Sequence, residues 1–183
     1  VNGTLSNVGF GTDFLEDKFP AARQNVELTT DWKKYVVPIP NPSKLVQEKG
    51  MFFFTAGGVD IVDDEPNGNE VAWTFWLDEI KFENLGTIGQ YKPNIFNGND
   101  ITEQGFINVP VQIMGLSQTA NLASGENVTV SPSPNYFDFE SSNPNVATVD
   151  ASGSVSVIGA GQTTITGSIA GVEAEGSLTL NVE

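Results

Sequence analysis

Two stretches hold most of the side chains that could do chemistry. The first is "VAWTFWLDEIKFENLG", residues 71–86, which sets two tryptophans and the carboxylates Asp78 and Glu79 on one strand-like run. The second is "DIVDDEPNGNE", residues 60–70, a turn-rich loop carrying Asp60, Asp63, Asp64, Glu65 and Glu70. An indole face can stack on the axial C–H groups of a pyranose ring, burying apolar area at little entropic cost. Trp73, beside the loop at the start of its strand, is the better stacking candidate. Phe14 and Phe54 stand behind it, while Trp76 is assigned to the core and Trp32 to packing. Carboxylates in pairs can do glycosidic acid–base chemistry, and in groups they can hold calcium through several oxygens. Asp60, Asp63 and Asp64 could bind calcium, although their spacing departs from the EF-hand pattern and a solvated acidic loop is the simpler account. A catalytic pair would need a long cleft in a much larger domain, so the chain is expected not to be an enzyme by itself.

The absent residues narrow the chemistry further. The chain of 183 residues has no His and no Cys. That excludes Ser-His-Asp and Cys-His nucleophiles, disulfides and any usual zinc site. Eight bases stand against 23 acids, for a net charge of −15. Beyond Lys92 there are nine acids (Asp100, Glu103, Glu126, Asp138, Glu140, Asp150, Glu173, Glu175 and Glu183) and no base. Such a surface repels nucleic acid and anionic lipid, leaving neutral glycans, calcium or a basic partner. No apolar run approaches the ~20 residues that span a bilayer, so no membrane insertion is expected. The chain starts at Val1 without a signal peptide, as a mature or excised piece would.

The elements that must position these residues are strands. Short alternating runs separated by Gly, Asn, Pro, Asp and Ser read as all-β. "VELTT" (26–30) leads into "DWKKYVVPIP", where Pro38 and Pro40 imply an edge strand or a strand end. "MFFFTAGG" (51–58) and residues 71–86 are further strands, and "NPSKLVQEKG" between them allows one short helical turn. Lysine ends and aromatics thin out across residues 85–100, placing a domain boundary near residue 87 and a linker over about 87–105. Strands then recur at 107–116, 127–132, 136–142, 146–150, 154–159, 163–172 and 176–182, the spacing of a β-sandwich. Val155 and Val157 should face the core with Ser154 and Ser156 outward, and "DASG" (150–153) should turn with Gly153 at positive φ.

"SSNPNVATVDASGSVSVIGAGQTTITGSIAG", followed by "GSLTLNV", resembles the bacterial immunoglobulin-like domain of group 2 over residues 107–183. That resemblance implies an Ig-like sandwich from a bacterial surface protein, adhesin or extracellular enzyme, where it spaces or presents other domains. "LTTDWKKYVVPIPNPSKL", "MFFFTAGG" and "TFWLDEIKFENLG" resemble the latter half of a jelly-roll carbohydrate-binding module. By that resemblance residues 1–86 are a partial jelly roll, whose earlier strands are missing or supplied by another polypeptide, and residues 87–183 are the Ig-like domain. The pairing is similar to non-catalytic parts of secreted polysaccharide-degrading proteins of Bacteroidetes-type bacteria, whose parent could be a glycoside hydrolase. It implies Asp78 as a ligand of structural calcium and a polysaccharide, β-glucan-like, as the partner. The expected function is therefore carbohydrate binding and spacing outside the cell or on its surface. The alternative is a structural or adhesive stalk that binds no sugar.

Overall fold

The computed structural model describes residues 3–11, 18–46, 48–56, 74–84 and 91–183. Among them the helical pieces are short 3-10 turns, and the fold is an all-β sandwich. In the N-terminal part, β1 (Thr4–Phe10) pairs antiparallel with β2 (Ala21–Glu27), and β3 (Phe53–Thr55) lies on the outer side of β1. The expected helical turn is the 3-10 turn Pro42–Lys44, capped where Asn41 Oδ1 accepts the Ser43 N–H at 3.2 Å. Residues 31–39 run on outside any strand, with Pro38 and Pro40 buried.

The remainder opens with β4 (Tyr91–Asn94), β5 (Asp100–Gly105), β6 (Val111–Gln112), β7 (Ser117–Asn121) and β8 (Asn127–Pro132). It continues with β9 (Asp138–Ser141), β10 (Ala147–Val149) and β11 (Ser154–Val157). β12 (Gly161–Ile169), β13 (Val172–Glu173) and β14 (Ser177–Val182) complete it. One sheet has the order β3-β1-β2-β8-β7-β4, a second β10-β11-β6, and a third β13-β12-β14-β5 with β9 also on β12. Residues 91–105, expected within a linker, thus form β4 and β5. β5 is the parallel partner of β14, in register from Ser177↔Asp100 to Val182↔Gly105. A parallel pair needs a long crossover. Here the crossover is most of the sandwich, so the pairing ties its early and final strands together.

The inward residues follow the expected period. Val155 and Val157 are buried, Ser156 is exposed, and β12 and β14 bury every second residue against them. Gly153 has φ 74° and closes the turn, where Asp150 Oδ1 accepts the Ser152 N–H at 2.8 Å, the Ser152 hydroxyl at 2.6 Å and the Ser154 N–H at 3.1 Å. These donors hold the Asp150 carboxyl below the ordinary aspartate range, the Ser152 hydroxyl most of all and the Ser154 amide next.

The N-terminal strands are not independent of this sandwich. β2 extends the sheet through Ala21↔Pro132 and Ala22↔Ser131. Phe10 and Ala21 lie in one continuous core with Ile95, Phe96, Tyr136, Phe137, Ile165 and Leu178. Tyr136 is the hinge of that core. Its ring is fully buried and meets Phe19 edge-on at 5.3 Å, and its hydroxyl donates to the Phe19 carbonyl at 2.8 Å. Around it Ser133 N donates to Pro20 O, the Ser133 hydroxyl donates to Lys18 O, and Lys44 Nζ reaches Asn135 O, Tyr136 O and Asp138.

Two predictions follow from these bonds. Burial first, and the Glu48 carboxylate second, push the Tyr136 phenol above the ordinary tyrosine value. The neutral phenol therefore belongs to the folded state. Its stabilisation is complete below the unfolded value of about 10 and is lost as pH climbs toward the raised folded value. Tyr136→Phe should cost about 1–2 kcal/mol in urea unfolding at pH 7 and should flatten the loss of stability on the alkaline side. For the lowered Asp150 the sign is opposite: its contribution is present above the ordinary value of about 3.9 and is lost as pH falls through the folded one. Asp150→Ala should lower the melting temperature at pH 7, with the difference from the parent shrinking in acid.

Candidate functional site

Phe54 sits on β3, the edge strand, with its ring 42% exposed. It lies edge-on to Phe75 at 5.2 Å and tilted against Phe52 at 6.3 Å. Residues 74–84 pass close by, but they form no strand among the described residues. Glu79 has φ 52°, which breaks the alternation that would have put successive side chains on opposite faces. Glu83 ties the segment to the chain after β2 through Lys34 Nζ at 2.5 Å, and Lys81 lies between Glu79 at 3.5 Å and Glu83 at 3.3 Å. These pairs hold the Glu83 carboxyl low, chiefly through Lys34, and raise Lys81, chiefly through Glu83. All are solvent-facing, where such pairs contribute little.

This arrangement corrects two expectations. Trp76, assigned to the core, is 74% exposed, and Trp32, assigned to packing, is 75% exposed. The strand pattern supplied an apolar face, but burial also needs a layer opposite it, and no described strand covers these indoles. Val37, Ile39 and Leu45 instead carry the packing of the segment around Trp32 against the core.

The other site candidates divide by position. Trp73, Phe14, Asp60, Asp63 and Asp64 lie outside the described residues. Asp78 is exposed, and its Oδ1 accepts the N–H of Glu79 at 2.8 Å. Calcium needs several convergent oxygens. Among the described residues no group of three acidic or other ligating side chains converges to hold an ion, so these residues alone do not fit a calcium centre.

A shallow polar depression lies on the outer face of β4, β7 and β8, lined by Lys92, Thr119, Asn121 and Asn127. Its side chains are bonded to one another or to near neighbours: Thr119 to Thr129 at 2.7 Å, Asn121 to Asn127 at 2.7 Å, Lys92 to Glu175 at 2.6 Å. The two threonines and the two asparagines are directly opposed cross-strand pairs, so their hydrogen bonds stitch β7 to β8.

Residues 118–170, from β7 through β12, match the family model described as "Intimin, immunoglobulin-like domain". The sandwich is immunoglobulin-like. The matched stretch lies within the part expected to be so, and it gives no support to a jelly-roll module. Among solved structures, an intimin mutant of EHEC O157:H7 is similar at 20% identity, with a TM-score of 0.27. The similarity covers 52% of this chain and 47% of that one, so this chain spans under half the length of that structure. No curated protein matches. Among the described residues, no helix is long and apolar enough to cross a membrane.

The exposure of the two indoles carries its own test. Trp32→Ala and Trp76→Ala should each change stability by no more than about 0.5 kcal/mol. Phe137→Ala, in the core, should cost about 3–5 kcal/mol in the same urea titration.

Proposed function

We propose that this chain is a non-catalytic structural region of a bacterial surface protein, in which an immunoglobulin-like sandwich spaces or presents neighbouring parts. The observation that carries this reading is the match of residues 118–170 to the intimin immunoglobulin-like domain. The continuous core supports it too, because a spacer must hold its two ends in fixed relation, and here N-terminal strands and sandwich are packed as one. The group 2 character seen in "SSNPNVATVDASG" belongs to the same reading, as does a location on the cell surface.

Glycan capture is the second reading, and one observation favours it. Trp32 and Trp76 present indoles to solvent, and an exposed indole is what a sugar ring stacks on. The two readings separate in affinity gel electrophoresis across soluble β-glucans, xylans, mannans and α-glucans. The spacer reading expects no retardation by any of them, and identical mobility for Trp76→Ala and Trp73→Ala. Retardation by one polysaccharide that either substitution abolishes would replace the spacer reading with the glycan one.

A further inference from the structure

The stretch from Lys92 to Gly105 runs in the same direction as the stretch from Glu175 to Val182, and the two are fastened along their shared length. At the start, the Glu175 N–H donates to Pro93 O at 2.9 Å and the Ile95 N–H donates to Glu175 O at 3.0 Å. Asn94 and Glu175 form a parallel bridge there, with Lys92 Nζ 2.6 Å from the Glu175 carboxylate. Past the turn at Phe96–Gly98, the Ser177 N–H donates to Asn99 O at 3.3 Å, and the Ser177 hydroxyl donates to the Asp100 carboxylate at 2.7 Å. β5 and β14 then continue in parallel register from Ser177↔Asp100 to Val182↔Gly105.

Two glycines let these stretches come so close. A Cβ on Gly176 would collide with Ile95 O, and one on Gly105 would meet Val182 Cγ2 at 2.8 Å. Little else holds β5: most of its residues are exposed, and among the described strands its partner is β14. β14 is anchored differently, with Leu178, Leu180 and Val182 buried and β12 paired on its other side. The parallel sense decides how this seam meets a load. Drawing the two ends of the chain apart pulls β5 back toward its own start and β14 forward past its own finish. The strands must then slide along each other, straining all the rungs between them together. An antiparallel terminal pair would instead open from one end, one rung at a time.

We propose that the seam between residues 93–105 and 175–182 is a tension-bearing clamp, which keeps the sandwich folded when the two ends of the chain are drawn apart. The inference rests on the spacer reading above and gives the spacer a mechanical task. The N-terminal strands are joined to the sandwich through the β2–β8 pairs and the contacts at Tyr136, so their release is an event separate from that of the clamp. Backbone alternation names the rungs. The Ser177 N–H faces Asn99 O, which turns the N–H groups of Ile101, Glu103 and Gly105 toward β14 and that of Thr102 toward the open edge.

Single-molecule stretching of the 183-residue chain tests the clamp. With the chain held at its two ends, the force peak that frees residues 91–183, at about 3.3–3.6 Å each, reports the sandwich. A second geometry holds the C-terminal end and Ile107→Cys, in the turn after β5, a thiol unique in a chain without cysteine. There the load enters both strands at the same end, and the seam opens rung by rung. The end-to-end peak should be at least about twice the Ile107 one at equal loading rate, because forced unfolding follows the barrier to opening. Equal peaks would overturn the clamp and leave the spacer reading standing, since spacing needs no resistance to force. Proline separates the rungs from general stability, because an edge strand tolerates it where the missing N–H faced solvent. Glu103→Pro should lower the end-to-end peak, and Thr102→Pro should leave it near the parent value. Equal loss in both variants, or none in Glu103→Pro, would place the resistance elsewhere and overturn the proposal.

Discussion

The buried hydroxyl of Tyr136, donating to the carbonyl of Phe19, is the constraint on which the arrangement of the molecule depends. A phenol this deep must have a partner, since a buried polar group without one costs more than the bond returns in water. Only the N-terminal segment supplies that partner. Among the described residues β3 adds only three residues to the β1–β2 pair, and a two-stranded ribbon is marginal without a layer to pack on. Placing Phe10, Phe19 and Ala21 over Tyr136 gives them that layer. The two-residue β2–β8 pairing lies beside that contact and extends the sheet across it.

The second constraint is the parallel pairing of β5 with β14. It closes the sandwich with residues distant in sequence: β14 also has its near neighbour β12, whereas β5 at the sheet edge has β14 as its strand partner. Because β14 is held beside β5 along its whole length, its end has one position, and the turn at 106–109 is held next to it. There Asn108 N–H donates to Val157 O of β11, and Gly105 leaves the room against Val182 that a Cβ would fill.

The sequence announced elements whose side chains carry the period themselves. "SVSV" alternates cleanly, "DASG" states its turn, and β12 and β14 alternate apolar and polar residues, so their faces were readable. β5, "DITEQG", was not, because five of its six residues are polar or glycine and its place is set only by β14. β4 carries Pro93 and β7 reads "SQTAN", both closer to linker than to strand by composition. The opposite error arose at Trp32 and Trp76. Apolar character measures what burial would gain, and it is silent on whether another layer exists to provide it. The turn at 106–109 is illegible for a third reason: Ile107, Asn108 and Val109 read as the start of a strand at 107–116, but Asn108 at positive φ between Gly105 and Pro110 makes them part of a turn. Those Gly and Pro flanks were the signal that could have found it.

The charge step at Lys92 has its explanation in the same docking. Residues 93–183 carry acids without a single base, so that half cannot neutralise itself. Its cations come from before the step: Arg23 pairs with Glu126 at 2.9 Å, Lys44 with Asp138 at 3.1 Å and Lys92 with Glu175 at 2.6 Å. Each exposed pair alone is worth little. Their common direction matters more, because every one joins an early cation to a late anion and so lowers the repulsion within the acidic half. Lys44 goes furthest, since its partly buried ammonium also satisfies the carbonyls of Asn135 and Tyr136 beside the docked phenol. Arg23, Lys44 and Lys92 thus serve as counter-ions for the sandwich, while Lys34 and Lys81 pair with Glu79 and Glu83 within the early segment. What reads in one dimension as a change of domain is, in three, the complementarity of two parts of one core.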